Sequence, residues 1–419
     1  MKSKEFNSDL ESLRGFVALF VVIGHVIQYN YLDPKYTPDN LLILMPPIHL
    51  SVLIFFVLSG YVIGVSNKEK LTQDSIPSYL KKRVIRIYPI YVISLMFTLA
   101  VARTKYSFYT IVNNFTFTQI IFSKVIQENN PIWSLQYEVF YYLLFIPISY
   151  FNLKPYLVVL LSVIIGTVNF ILFPHFNAPL ITSYFFGFTF WSLGLLLAKS
   201  FQRKSFEINY PQFNPRYSLL ISNVFLVLSL NYFNIISTVS YKVIILLFKH
   251  PIEFPSSISW YEKAISFSDL FYLPYCVMIL INFSSKEFKY KKYVFCFFEI
   301  LPALTFVYIA TEIHSKDLSI YIIPSLYYLL SLIFYFIKCK PLNYLSYYLY
   351  KAGLWLGGIS YAVYIIHFPI LILFNHISFF SGTPSSLTVR FISFIVVTIS
   401  ISYYLEKKVQ IWIKRTLVI

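Results

Sequence analysis

The sequence predicts an all-α bundle of membrane-spanning helices, and three observations carry that prediction. Of its 419 residues, 58% are hydrophobic, 20% aromatic and only 12% charged. Many of the apolar residues fall in separate runs near twenty long, the length that crosses about 30 Å of hydrocarbon. The basic residues then alternate in density from one inter-run segment to the next, the pattern of the positive-inside rule.

Twelve spans are placed, near 10–29, 47–66, 84–102, 138–152, 155–173, 180–198, 217–234, 267–283, 293–310, 319–337, 354–377 and 387–405. The fourth is short, and Pro274 and Pro302 interrupt the eighth and ninth, so the expected number is about 10–12. With both termini cytoplasmic, 25 of the 34 Lys and Arg fall on the cytoplasmic side. The formal net charge of +16 is therefore read as topology signal and not as a nucleic-acid footprint. Residues 1–419 are expected to form one integral-membrane domain without an appended soluble one. Cys276, Cys296 and Cys339 lie in or beside apolar runs without metal-type spacing and read as buried small hydrophobes. No metal site and no tightly bound cofactor is expected.

The first span holds Arg14 and His25, eleven residues apart. At about 100° and 1.5 Å per residue they share a helix face and stand roughly 16 Å apart along the axis. Ionisable groups inside a span are costly and mark working sites; the structural alternatives are a snorkelling arginine and a packed histidine. In the second span, Ser59-Gly60 permits close approach of a backbone or a ligand. The third begins in KKRVIRIYPIY, where Arg83 and Arg86 are three apart on one face beside Pro89. Arginine grips phosphate through two hydrogen bonds, so this pair suits a phosphorylated donor from the cytoplasm, or else lipid headgroups.

The segment 103–137 leads into WSLQYEVFYY, which places Trp133, Ser134 and Glu138 where loop becomes helix. Tryptophan there often serves only as interfacial belt, whereas a carboxylate entering an apolar helix needs a partner or a task. The middle, roughly 151–350, carries no chemical signature, although Asp269 and Glu299 fall inside predicted spans without an assigned role. The eleventh span holds Ser360 and His367, seven apart and two turns from one another on one face; His376 reads as interfacial. Glu406 and Lys407 begin the tail.

Together these stretches resemble the acyltransferase-3 family of integral-membrane acyltransferases. Arg14, ten residues and His25 resemble its first-helix hallmark. FFVLSGY (55–61), KRVIRIYPIY (82–91), WSLQYEVFYY (133–142) and ISYAVYIIHFPI (359–370) resemble four further motifs in family order. The chain departs where Lys408-Val409 follows Glu406-Lys407 in place of proline, and its middle matches nothing in the family pattern.

The resemblance implies transfer of an acyl group, commonly acetyl, from cytoplasmic acyl-coenzyme A to a hydroxyl of a surface polysaccharide or lipid-linked glycan, at a bacterial cytoplasmic membrane. Acetyl-CoA is then a co-substrate, with membrane lipids and the glycan acceptor as the other partners. A sugar hydroxyl needs a base near neutral pH, and His25 is the leading candidate. Arg14, Arg83 and Arg86 suit the phosphates of coenzyme A. Ser59, Ser134, Ser360 and His367 are candidates for stabilising the oxyanion. Trp133 and Glu138 suit the acceptor sugar. The competing reading is a glycan or small-molecule exporter, in which the same buried His, Arg and Glu would line a pathway. A glycerolipid acyltransferase is disfavoured by the lack of a His-x4-Asp motif.

Overall fold

A computed structural model of the chain describes residues 8–38, 41–172, 179–200, 202–203, 215–248, 260–311 and 318–417. Its helices run in order α1 (Ser8–Tyr29), α2 (Ile48–Ser66), α3 (Ser75–Val101), α4 (Phe108–Phe115), α5 (Trp133–Tyr150) and α6 (Pro155–Leu172). They continue with α7 (Pro179–Lys199), α8 (Pro215–Phe233), α9 (Ile235–Phe248), α10 (Leu273–Phe283), α11 (Lys291–Ile300) and α12 (Leu304–Thr311). The last are α13 (Ile322–Phe336), α14 (Lys340–Gly357), α15 (Ser360–His376), α16 (Pro384–Tyr404) and α17 (Gln410–Leu417). A two-residue antiparallel pairing of Gln202–Arg203 with Lys286–Glu287 is the one sheet among the described residues.

The chain is an all-α, multi-pass membrane protein. Among the described residues 9 helical segments are long and apolar enough to cross a bilayer, or 10 if the pair α14 and α15, bent by 74°, counts as one. That count reaches only the lower end of the expected 10–12. Helix α5 is not among them, because Ser134, Gln136 and Glu138 make its first two turns polar. The predicted eighth span is a shorter apolar helix over Phe267–Phe283. The eleventh begins after a sharp bend at 358–359.

Two compact units divide the chain. One comprises residues 1–17, 49–68 and 153–355; the other comprises 18–48, 69–152 and 356–419. Helix α1 contributes its first turns to one and its remainder to the other.

In the first unit α6 packs on α7 and α8 on α13. Helices α2 and α7 meet through reciprocal glycines. A Cβ at Gly60 would stand 1.8 Å from the Trp191 carbonyl oxygen, and one at Gly194 would stand 2.0 Å from that of Val57. Inside a membrane, small residues are what let two backbones come this close. Asp269, left without a role by the sequence, caps the turn at 267–272. Its carboxylate accepts from the Ser266 backbone N–H at 2.7 Å and pairs with His49 Nε2 at 2.9 Å.

In the second unit, residues of α1, α15 and α16 share an apolar core that includes Val22, Val26, Ile366, Ile370 and Phe394. Prolines inside α3 and α15 organise its polar contacts. A helix-interior proline lacks the N–H that would bond the carbonyl four residues earlier. Pro89 thereby releases the Ile85 carbonyl, which accepts from Gln410 Nε2 of α17 at 2.6 Å. Pro369 releases the Ile365 carbonyl, which accepts from Ser94 Oγ of α3 at 2.6 Å and from Asn129 Nδ2 at 3.2 Å.

The segment after α1 is fastened to the start of α16. Asp33 accepts from Ser381 Oγ, from the Gly382 N–H at 3.1 Å and from Ser386 Oγ at 2.6 Å. Burial by itself would raise this carboxyl, but these donors hold it below its ordinary value. Arg390, buried, donates to the carbonyls of Leu32, Phe374 and Phe379.

Candidate active site

His25 lies on α1 and His367 on α15, both in the second unit. Their rings are 6° from parallel, and His25 Nδ1 is 2.9 Å from His367 Nε2. The tautomers follow from the neighbour behind them. His367 Nδ1 stands 3.0 Å from the Val363 carbonyl, which can only accept, so Nδ1 carries a hydrogen. In the neutral ring Nε2 is then a lone pair, and it accepts the hydrogen of His25 Nδ1. Neutral His25 is left with its lone pair on Nε2, which has no hydrogen-bond partner among the described residues. A histidine whose second nitrogen is held by a fixed acceptor presents one defined basic atom.

Aromatic rings shape the surroundings. Phe368 meets the His25 ring edge-on at 5.4 Å, and Tyr29, one turn further along α1, lies at 5.8 Å. Tyr29 Oη accepts from Asn130 Nδ2 at 2.6 Å, and its own hydrogen has no acceptor among the described residues. On the far side of His367, Tyr364 Oη is 2.6 Å from Ser134 Oγ and donates toward the Pro131 carbonyl at 3.3 Å. Asn129, fully buried, donates to Ser94 Oγ at 2.9 Å and Thr98 Oγ1 at 3.1 Å. It thereby pins the turn at 127–132 to α3, and that turn launches α5 with Trp133 and Ser134.

The arginines differ from one another. Arg86 Nη1 donates to both oxygens of Glu406, at 3.2 and 2.9 Å, and its guanidinium lies over the Tyr361 ring at 5.4 Å. Glu406 is presented by a π-helical turn at Leu405–Val409, the kind of local widening that re-aims a side chain. Arg83 has no carboxylate at ion-pair distance among the described residues. It lies 5.8 and 5.9 Å from the ring centres of Tyr79 and Tyr142, with its Nε buried and unpaired. Arg14 donates to Glu11 at 3.3 Å, one turn earlier on α1.

The remaining predicted site residues have the following surroundings. Ser59 lies on α2 in the first unit, next to the glycine that seats α2 on α7. Ser360 is buried and spends its hydroxyl hydrogen on the Gly357 carbonyl at 2.8 Å, as a helix-entry contact. Ser134 is engaged by Pro131 and Tyr364. Trp133 is only 5% exposed and packs edge-on against Tyr137, so its indole face is an interior wall and not an interfacial belt. Glu138, half-buried, accepts from Tyr142 Oη one turn along α5. Arg86 has its charge met by Glu406.

The residues that sequence reasoning passed over are Tyr29, Asn129, Asn130, Tyr364 and Glu406. Tyr29 had a legible signal, since it lies four residues after His25 on the same face. Tyr364 and Glu406 lie in stretches compared with the family pattern above but without a role, and Asn129 and Asn130 had no signal. Among the described residues no three His, Cys, Asp or Glu side chains gather as a metal site would require.

The family model described as acyltransferase domain matches residues 7–249, which include Arg14, His25, the Arg83–Arg86 pair and Glu138. Over 88 residues the chain is 35% identical to protein 2 in the picA locus of Rhizobium radiobacter, covering 20% of this chain and 40% of that protein. Over 87 residues it is 30% identical to acyltransferase MdmB of Streptomyces mycarofaciens, covering 21% of this chain and 22% of that protein. The chain thus spans less than half the length of these curated relatives. No solved structure matches it. With more than half its length matched by the family model, and 9 or 10 helical segments among the described residues apolar and long enough to cross a bilayer, the chain belongs to the acyltransferase-domain family of integral-membrane proteins.

Proposed function

We propose that the protein transfers an acyl group, acetyl in the simplest case, from acyl-coenzyme A to a hydroxyl of a surface polysaccharide or lipid-linked glycan at a bacterial cytoplasmic membrane. The observation that carries the reading is the His25–His367 pair, in which one imidazole sets the tautomer of the other and leaves His25 Nε2 as a base. In the reaction, His25 Nε2 takes the acceptor's hydroxyl proton as its oxygen attacks the thioester carbonyl. The carbon–sulfur bond then breaks, and the departing thiolate takes the proton back from the imidazolium. His367 positions the base and disperses its charge while it is protonated.

The transient oxyanion needs a donor, and Tyr29 Oη, with an uncommitted hydrogen beside His25, suits it better than the serines whose hydrogens are already placed. Arg83 serves the donor's phosphates, to which a guanidinium makes paired hydrogen bonds. Arg14, on the first turns of α1, is a further guanidinium suited to a phosphate, which would replace Glu11 as its partner. Glu138 serves the acceptor sugar, with Trp133 and Ser134 forming the wall behind it.

The deciding experiment is mass spectrometry or NMR of surface glycans from a deletion strain complemented with wild type or with His25→Ala. Loss of an O-acyl signal in the deletion and in His25→Ala, with restoration by wild type, supports the reading. Full acylation with His25→Ala sinks it. Binding of coenzyme A separates it from an exporter, which should show none.

A further inference from the structure

Glu299 lies in the first unit and has no part in the acyl transfer proposed above. It is fully buried and sits eight residues, about 12 Å, into the span Lys291–Thr311. That span is broken just beyond it. A short turn at Leu301–Ala303 separates α11 from α12, and Pro302 removes one helical N–H there. Tyr328 Oη of α13 closes the break by donating to the Glu299 carbonyl at 2.9 Å and that of Ile300 at 3.1 Å.

Among the described residues the carboxyl group has no cationic partner. No Lys, Arg or His lies within ion-pair distance among the described residues. Lys338, the one cation within electrostatic reach among the described residues, is exposed and places Nζ 3.0 Å from the Phe334 carbonyl. The other titratable groups facing Glu299 are Tyr275 of α10 and Tyr328 and Tyr335 of α13, none of which supplies positive charge. Helix α8 contributes Ser222 and α13 contributes Ser331, both uncharged.

Hydrogens are also too few. Ser222 Oγ lies 3.1 Å from Glu299 Oε1 but 2.9 Å from the Ser331 carbonyl. Ser331 Oγ contacts Glu299 Oε1 and is 2.8 Å from the Ser222 carbonyl. Each hydroxyl has one hydrogen, so two hydrogens face two carbonyls and a carboxyl oxygen. Glu299 Oε2 is buried without a hydrogen-bond partner, and so is the Tyr275 hydroxyl. An ionised carboxylate in this setting would be desolvated, unpaired and under-donated, whereas a carboxylic acid brings the missing hydrogen itself.

We propose that Glu299 is an intramembrane proton-binding site, its carboxyl group held in the protonated form between α8, α11 and α13 at a break in its own span. The ligand is a proton, and the broken helix with its two serines is what receives it. Ionisable groups at interrupted membrane helices take part in proton traffic, which gives the middle of this chain a chemistry separate from acyl transfer.

The test uses dicyclohexylcarbodiimide, an apolar reagent, on the full chain in membranes. The carboxyl proton passes to a carbodiimide nitrogen as the carboxylate oxygen bonds the central carbon, and an oxygen-to-nitrogen shift leaves a stable N-acylurea. Peptide mapping at neutral pH should find the adduct on Glu299, with yield falling about tenfold per unit once pH exceeds the group's titration point. Infrared spectroscopy should show a free-acid carbonyl band that Glu299→Gln lacks. Because the mapping reads Glu299 in the wild-type protein, it does not depend on the variant folding. An absent adduct and band, or an adduct blocked by sodium ions at constant pH, would overturn the proposal; the latter marks a cation site instead.

Discussion

His25 Nδ1 and His367 Nε2 are 2.9 Å apart although 342 residues separate them in the chain. The contact defines which nitrogen of His25 is basic, so the two side chains should not fail equally. His25→Ala removes the base and should lower turnover by about 10²–10⁴. His367→Ala should cost less, roughly 10–10², because the base survives in a mixture of tautomers and orientations. His367→Gln, whose amide oxygen can accept from His25 Nδ1–H, should recover part of that loss. Steady-state rates for the three variants check the order, and equal losses for both alanine variants would contradict it.

Tyr29 stands beside His25, and its hydroxyl hydrogen has no acceptor among the described residues. Tyr29→Phe keeps the ring packing against Phe368 and deletes only the donor. Turnover should fall by about 10² with little change in KM, the signature of a group that acts in the transition state. A change in KM alone would assign Tyr29 to substrate binding.

Arg83 and Arg86 are three residues apart but have separate duties. Arg83→Ala should raise KM for acyl-coenzyme A about tenfold or more and leave thermal stability near wild type. Glu406→Ala strands the half-buried Arg86 and should destabilise by about 2–4 kcal/mol, below the upper end for fully buried pairs because Arg86 keeps some exposure. Thermal unfolding in detergent together with donor KM separates the two roles. The reverse pattern would reassign the donor site to Arg86.

Gly60 and Gly194 form the α2–α7 contact, and alanine at either would drive a methyl into a carbonyl oxygen of the facing helix. Each substitution should cost about 1–3 kcal/mol as the helices separate. The double variant should cost less than the sum, since one displacement relieves both clashes. Additive losses would show that the two glycines act independently.

Asp33 provides a pH dependence. Its carboxyl is held below its ordinary value in the folded protein, so its contribution to stability is complete above the unfolded value of 3.8 and is lost as pH falls through the lower folded value. The wild type should therefore lose stability below about pH 4, and Asp33→Asn should show a shallower acid-side decline. Identical acid profiles would mean that the Ser381, Gly382 and Ser386 donors do not favour the charged form.

Much of this architecture could be read from residue order. Apolar run length is a one-dimensional property, so the multi-pass all-α class and most span positions follow from it. It overcounts where polar residues occupy the first turns, as in α5, and where a bend divides a run, as between α14 and α15. The Arg14–His25 face, the Arg83–Arg86 spacing and the late His367 were also legible, because helical period converts spacing into direction.

Partnership was not. Helical period says that His25 and His367 each face inward, but not that they face one another, nor that Val363 behind His367 selects the tautomer. It groups Arg83 with Arg86 as equal cations, while a π-helical turn 320 residues further on brings Glu406 to Arg86 alone. Glu299 reads in the sequence as an unexplained acid, and only the packing of α8, α11 and α13 makes it an uncompensated one. Composition and periodicity act locally along the chain and dictate where helices form and which faces turn inward. Hydrogen-bond partners, tautomers and the balance of buried charge depend on segments far apart in sequence, and only their tertiary packing decides them.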